Sequence, residues 1–272
     1  MNRRKFLTFS AASCCSFILP GCKTNPVTDR RQFLMYPESF INKQSAIFYK
    51  SFLKRSKIST DEKTTKLMKK IAKNIISSID KYFIKISVPN PTLDYKWEYN
   101  LIEDNQVNAF CAPGGKIAVF TGILKYTENE DGLAAVMGHE IAHAVAKHSA
   151  ERMSRAIAAE LGFGVADILS GGVAGQVRGV FSEYTGLDIL NITVMKTHGR
   201  KQESEADYMG LAFSSMAGYD LNEAVRLWKR MNKKNKDKEL PQFLSTHPSS
   251  RTRIIQLRRW IPEIKQEFPQ SI

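Results

Sequence analysis

The sequence predicts an α+β fold that is mainly helical, with a small β-sheet beside one central helix. Two observations predict it. Residues 138–143 read G-H-E-I-A-H inside an apolar run of strong helix formers. Further helical periodicities lie before and after this run, whereas strand-like alternation is confined to residues 93–120. The 272 residues, 43% hydrophobic and 25% charged, fit one large domain with small appendages.

Residues 1–21 are predicted to be a signal peptide outside the fold. A basic start with two arginines, N-R-R-K, precedes an apolar run that holds no acid and ends in L-P-G-C at Cys22. The start resembles a twin-arginine signal, and the end resembles a bacterial lipobox that makes Cys22 the lipidated N-terminus. The alternative is an ordinary cleaved signal with a chance cysteine. Lipidation predicts an exported cell-envelope lipoprotein, anchored on the periplasmic face at the outer membrane.

The net charge limits the possible binding partners, and the cysteine content limits the possible disulfides. The formal net charge of +13 favours acidic substrates or anionic lipid surfaces, and a solvated basic surface without a partner fits equally well. Nucleic acid is excluded as a partner because an exported protein seldom meets any. Acylation of Cys22 leaves Cys111 as the one free cysteine beyond the signal, so we expect no disulfide and a small buried apolar residue at Cys111.

The chain divides into the signal, a lipidated polar tether at residues 22–38 and a folded domain at 39–272. A Gly-rich stretch at 171–187 is either a lid over a cleft or a plain long loop. Helices are predicted at 39–54, 60–79, 133–148, 152–169, 202–216, 221–231 and 251–261, strands at 93–101 and 116–120, and connections at 108–115 and 241–248.

The motif at 138–143 offers two metal ligands and a base. His139 and His143 are four residues apart, so they share one helix face and can close on one metal ion at roughly 2.0–2.1 Å each. Glu140 projects beside the metal, where a general base for an activated water must lie.

A catalytic zinc needs a third protein ligand. His148 is predicted to face another side of the helix, and the metzincin pattern is excluded because its Gly and His positions hold Ala146 and Ser149. Residues 203–207 read E-S-E-A-D, which places Glu203 and Asp207 on one helix face. One carboxylate can then ligate the metal while the other accepts a hydrogen bond from a ligand imidazole. A solvated acidic helix face is the alternative.

Together these motifs resemble the HtpX and CAAX-prenyl-endopeptidase family of zinc metallopeptidases. The resemblance is strongest to its exported bacterial lipoprotein branch and to the related Oma-type peptidases. It covers nearly the whole chain after the signal and rests on residues 138–143 and 203–207, on 25–32, 108–115 and 121–122, and on 246–248 with Arg253.

The resemblance implies a gluzincin-type domain that binds one zinc ion per chain. It makes His247 either a removable fourth ligand or a stabiliser of the oxyanion, with Arg253 close by. The other implied roles are zinc ligands His139, His143 and Glu203, general base Glu140, ligand-orienting Asp207, and a substrate-binding edge strand that includes Asn108, Ala109, Gly115 and Ile117.

The predicted function is a zinc endopeptidase of the bacterial cell envelope that cleaves misfolded or mis-assembled envelope proteins. Its partners would be polypeptides, the membrane through the lipid anchor, and envelope assembly machinery. One alternative is a chaperone or assembly factor for outer-membrane proteins with latent peptidase activity. Another is a non-catalytic zinc-stabilised binding module, against which Glu140 argues because a structural zinc site has no use for that carboxylate.

Overall fold

A computed structural model describes residues 22–25, 27–28, 30–160, 198–234, 242–247 and 251–270. The predicted signal peptide at 1–21 and the Gly-rich stretch at 171–187 lie outside these residues. The described chain is mostly helical with a three-stranded sheet, which confirms the predicted fold class. No helix among the described residues is both long and apolar enough to cross a membrane.

The elements follow in chain order. They are β1 (Cys22–Thr24), β2 (Arg31–Phe33), α1 (Glu38–Arg55), α2 (Glu62–Lys85), β3 (Glu98–Ile102), β4 (Ala109–Ala112), β5 (Lys116–Phe120), α3 (Leu124–Thr127), α4 (Glu130–Val145), α5 (His148–Glu160), α6 (Arg200–Met216), α7 (Asn222–Lys234), α8 (Gln242–Thr246) and α9 (Arg251–Glu267).

Helices α2, α4 and α6 pack against one another and form the centre of the domain. Helix α2 begins after the N-cap residue Asp61, whose carboxylate accepts a hydrogen bond from the Thr64 backbone N–H at 3.0 Å. Its apolar stripe, which includes Ile71 and Ile75, is fully buried. Helix α4 begins where the Asn129 side chain accepts from the Gly132 backbone N–H at 2.7 Å. This places the motif at 138–143 in the buried second half of α4.

The sheet has the strand order β3-β5-β4, with β3 parallel and β4 antiparallel to β5. Strand β5 is therefore the central strand, and the prediction that Ile117 lies on a substrate-binding edge is wrong. The predicted connection at 108–115 contains strand β4 and a tight turn. Gly115 belongs to that turn, at φ +82°, and a Cβ there would come within 2.6 Å of the Trp97 ring.

Helix α4 ends earlier than the sequence predicts. Its last residue is Val145, and Lys147 adopts a left-handed conformation at φ +58°. The helix breaks there, and α5 begins at His148. The prediction that His148 faces away from the motif is wrong because it assumed an unbroken helix.

The described residues between 22 and 38 pack on the domain. Strands β1 and β2 pair antiparallel, with Cys22 opposite Phe33. Gln32 is buried, and its side-chain amide donates to the Ala146 carbonyl at 2.7 Å. A buried polar group needs such a partner, so this segment is held by specific bonds. Lipidation of Cys22 stays a prediction.

Near the C-terminus, the predicted connection at 241–248 contains the short helix α8. The last helix, α9, is longer than predicted and continues to Glu267. Helix α9 packs on α6 and α7, and Phe243 of α8 and Leu257 of α9 lie in the main core.

Candidate metal centre

Helices α4 and α6 bring three predicted ligands to one point. The Nε2 atoms of His139 and His143 lie 3.0 Å apart. Glu203 Oε2 lies 3.5 Å from His139 Nε2, and Glu203 Oε1 lies 3.4 Å from His143 Nε2. All three side chains are buried.

His247, directly after α8, adds a fourth donor atom. Its Nδ1 lies 3.3 Å from His139 Nε2 and 3.0 Å from Glu203 Oε1. Its backbone N–H donates to the Phe243 carbonyl at 2.8 Å, which holds the residue against the turn of α8. His247 is therefore part of the donor set.

The donor set fits zinc. The ligand atoms of His139, His143, Glu203 and His247 all lie within 4.8 Å of one another. A tetrahedral ion with bonds of about 2.0–2.1 Å separates its ligand atoms by about 3.3–3.4 Å. The distances of 3.0–3.5 Å between these nitrogen and oxygen atoms match that spacing. Three imidazoles and one carboxylate are also the ligand types that zinc prefers.

Asp207 orients His139. One of its carboxylate oxygens lies 3.0 Å from His139 Nδ1, which leaves Nε2 directed at the donor set. Burial and the Arg253 charge lower the pKa of His139, but hydrogen bonds to Asp207 and Glu203 outweigh them and raise it to about 9. His139 therefore holds a proton more strongly than a free imidazole does.

Arg253 holds two of the three acidic residues of α6, Glu203 and Asp207. Its guanidinium donates two bonds to Asp207, at 2.6 and 2.7 Å, and lies 2.7 Å from Glu203 Oε2. The guanidinium also stacks over Trp228 at 3.7 Å from the ring centroid. Burial raises the pKa of Glu203, but the charges of His247 and Arg253 overcome it and hold that pKa well below its usual value.

Glu140 lies beside the donor set and is not part of it. It is buried, and one of its carboxylate oxygens lies 3.3 Å from His247 Nε2. Burial raises the pKa of Glu140. A carboxylate that binds protons more strongly than usual, next to the metal, suits a general base.

Three buried residues near the site, His148, His198 and Glu205, have no role in the predicted site. His148 Nδ1 lies 2.8 Å from His143 Nδ1, and His148 Nε2 lies 2.7 Å from Glu205 Oε2. The His198 ring lies 3.8 Å from the His143 ring, and burial holds the pKa of His198 well below its usual value. The only signal in the sequence was their residue type. The contact between His143 and His148 is a hydrogen bond, since it is shorter than the spacing of two zinc ligands.

A family model described as Peptidase family M48 matches residues 69–261. The chain belongs to peptidase family M48. It is 34% identical over 250 residues to the mitochondrial metalloendopeptidase OMA1 of Schizosaccharomyces pombe, covering 89% of this chain and 68% of that protein. It is 30% identical to the Saccharomyces cerevisiae OMA1, covering 99% of this chain and 78% of that protein. The Escherichia coli β-barrel assembly-enhancing protease is 26% identical, covering 64% of this chain and 36% of that protein.

The M48 membership confirms a metalloendopeptidase that uses zinc and acts on polypeptides. It also confirms the predicted family. The predicted location is wrong. Relatives that match most of the chain are mitochondrial metalloendopeptidases, which point to mitochondria and not to an exported lipoprotein on the periplasmic face of an outer membrane. The predicted assignment to the bacterial lipoprotein branch is wrong for the same reason.

Proposed function

We propose that this M48 metalloendopeptidase cleaves misfolded or mis-assembled polypeptides, with zinc held by His139, His143 and Glu203. The observation that carries the proposal is the buried donor set with the Glu140 carboxylate beside it. Zinc, when bound, supplies a Lewis acid that lowers the pKa of water and polarises the scissile carbonyl.

In this proposal, Glu140 transfers the proton. It takes the proton from the attacking water and delivers it to the nitrogen of the leaving amine. The raised pKa of Glu140, caused by burial, brings the carboxylate closer to the pH at which it must both accept and release that proton. Asp207 and Arg253 keep His139 and Glu203 in place during these steps.

His247 acts as a removable fourth ligand. Support comes from its Nδ1, which lies within the donor set at 3.0 Å from Glu203 Oε1. A substrate carbonyl needs that same position, so His247 must withdraw before cleavage. The short helix α8 is the element that would move. The competing role is stabilisation of the oxyanion, for which the Nε2 atom is available near Glu140.

Strand β4 is the proposed substrate edge. Among the described strands it pairs only with β5, and Asn108 and Ala109 lie at its start. An extended substrate would add to β4 through backbone hydrogen bonds, which recognise any sequence in extended form. Misfolded chains offer such segments and folded proteins do not. Because Ala109 is buried, opening of the site must precede strand addition.

The test uses one protein in two forms, a denatured reduced carrier protein and its folded counterpart. We expect the purified enzyme to cleave the denatured form, to spare the folded form, and to lose activity on addition of a zinc chelator. Readdition of zinc should restore cleavage. Equal cleavage of both forms, or cleavage that survives the chelator, would refute the proposed substrate class or mechanism respectively.

A chaperone or assembly factor with latent peptidase activity is the second candidate. It is supported by the buried donor set in which His247 offers a fourth ligand atom, because a zinc ion with four protein ligands has no open position for water or substrate. The name of the Escherichia coli relative also combines assembly with proteolysis. A complementation assay distinguishes the chaperone from the endopeptidase. Rescue of a deletion strain by Glu140→Gln favours the chaperone, and failure of a well-expressed Glu140→Gln protein favours the endopeptidase.

A further inference from the structure

A buried chain of hydrogen bonds runs from His143 to the N-terminal segment. His143 Nδ1 contacts His148 Nδ1 at 2.8 Å, and His148 Nε2 contacts Glu205 Oε2 at 2.7 Å. Arg30 Nε then donates to Glu205 Oε1 at 2.6 Å. The chain thus joins α4, α5, α6 and the residue before β2.

Arg30 is the cation at the end of this chain. Its two terminal nitrogens donate to the two carboxylate oxygens of Glu151, both at 2.7 Å, while Nε and one terminal nitrogen donate to Glu205 at 2.6 and 3.0 Å. The Glu151 side chain is fully buried, and Gln202 donates to it at 2.9 Å. Without Arg30, the Glu151 and Glu205 carboxylates would repel each other in a buried place.

The order of protons along the chain follows from the ligand role of His143. A histidine that binds a metal through Nε2 carries its proton on Nδ1 and donates it to a neighbour. His148 Nδ1 is that acceptor, so the His148 proton lies on Nε2 and is donated to Glu205. The Glu205 carboxylate accepts bonds from His148 and Arg30. Each bond therefore fixes the orientation of the next group.

We propose that Arg30 is a positioning residue for the zinc ligand His143, acting through Glu205 and His148. The N-terminal segment thereby becomes part of the metal site although it contributes no ligand. This inference rests on the proposed ligand role of His143. Two further hydrogen bonds hold the N-terminal segment and are not part of the hydrogen-bond chain from His143 to Arg30. The Gln32 side chain donates to the Ala146 carbonyl at 2.7 Å, and the Met35 backbone N–H donates to Ser154 Oγ at 3.0 Å.

The experiment compares Arg30→Ala and Arg30→Lys with two controls. Ser154→Ala removes another anchor of the same segment, and Arg31→Ala removes an exposed neighbouring charge. The readouts are zinc affinity by chelator competition, the visible absorption spectrum of the cobalt-substituted protein, and kcat and KM on a peptide. All variants are assayed at a temperature where circular dichroism shows them folded.

We expect Arg30→Ala to weaken zinc binding about 10- to 100-fold, as is typical when an outer-shell partner of a metal ligand is lost. The cobalt spectrum should change, and kcat should fall with KM nearly unchanged. Arg30→Lys should recover part of the zinc affinity, since lysine keeps the positive charge but lacks the planar guanidinium group that binds both carboxylates. Both controls should bind zinc as the wild type does.

A double-mutant cycle tests the proposed route. Glu205→Gln breaks the same chain, so adding Arg30→Ala to it should weaken zinc binding little further. Full additivity would overturn the proposal. So would an Arg30→Ala protein that loses thermal stability but keeps wild-type zinc affinity and cobalt spectrum. If Arg30→Ala does not fold, unchanged zinc affinity in both Arg30→Lys and Glu205→Gln overturns it. Wild-type zinc affinity in His143→Ala would instead refute the underlying ligand assignment.

Discussion

Gly138 of α4 lies against Gly210 of α6 so closely that a Cβ on Gly210 would come within 2.9 Å of the His139 backbone nitrogen. A Cβ on Gly138 would lie 3.0 Å from the Gly210 carbonyl oxygen. The two helices therefore touch backbone to backbone beside the metal centre. This close approach allows the short side chain of Glu203 to reach the same point as His139.

Gly210→Ala is expected to destabilise the protein by about 1–3 kcal/mol, because the added methyl group overpacks the helix contact. Helix propensity alone predicts the opposite sign, since alanine favours a helix over glycine by about 1 kcal/mol. Chemical denaturation of the zinc-free protein measures the change. A Gly210→Ala protein as stable as the wild type would show that α4 and α6 are not in close contact.

Asp207→Asn should weaken zinc binding about 10- to 100-fold, as expected for a group that orients a metal-binding histidine. The amide keeps an oxygen for His139 but removes one of the two carboxylate charges that face Arg253 next to the metal. Chelator competition measures the affinity. Ser204→Ala, on the same helix, is the control and should bind zinc normally. Equal affinity in Asp207→Asn and the control would remove Asp207 from the site.

His247→Ala should raise kcat/KM for an unfolded peptide, because removal of the fourth ligand opens the position that a substrate carbonyl needs. A fluorogenic peptide assay at saturating zinc gives the value. Gln242→Ala, on the adjoining helix α8, controls for a general loosening of that turn. A fall in kcat with unchanged zinc affinity would assign His247 to the oxyanion instead.

Cys111 should resist alkylation in the folded protein at pH 8 and react on unfolding. Burial raises the pKa of its thiol well above the usual value, and the Glu140 charge adds to this effect, so little thiolate forms. Peptide mapping by mass spectrometry separates Cys111 from the other cysteines. Rapid labelling of Cys111 in the folded state would contradict its burial.

The raised pKa of the Cys111 thiol also makes the stability of the protein depend on pH. The unfolded thiol ionises near pH 8.5 while the folded thiol stays protonated, so the unfolded state loses protons first as the pH rises. The contribution of Cys111 to stability is therefore complete below about pH 8.5 and falls above it. Cys111→Ala should show a shallower loss of unfolding free energy between pH 8 and 10 than the wild type. An identical slope would rule out this contribution.

The parts of the site that lie within one helix turn could be predicted from the sequence. His139, Glu140 and His143 follow from a spacing of one and four residues, and Glu203 with Asp207 from the same spacing on α6. Fold class followed from periodicity for a similar reason. These relationships are local, so helix geometry alone determines them.

Relationships that depend on tertiary packing could not be predicted. The break in the helix at Lys147 requires a left-handed residue without a glycine to signal it, and His148 after the break contacts His143. Arg30 meets its carboxylates 121 and 175 residues along the chain. The central position of β5 depends on a parallel pairing with β3 that the alternation of residues does not specify.

The most direct test of Glu140 as the general base measures zinc content and peptide cleavage in the wild type and Glu140→Gln, purified side by side. Glu140 lies outside the donor set, so both proteins should contain one zinc ion per chain. Loss of the general base should reduce kcat by about 10²- to 10⁴-fold. Cleavage by Glu140→Gln at the wild-type rate, with zinc bound, would contradict the account.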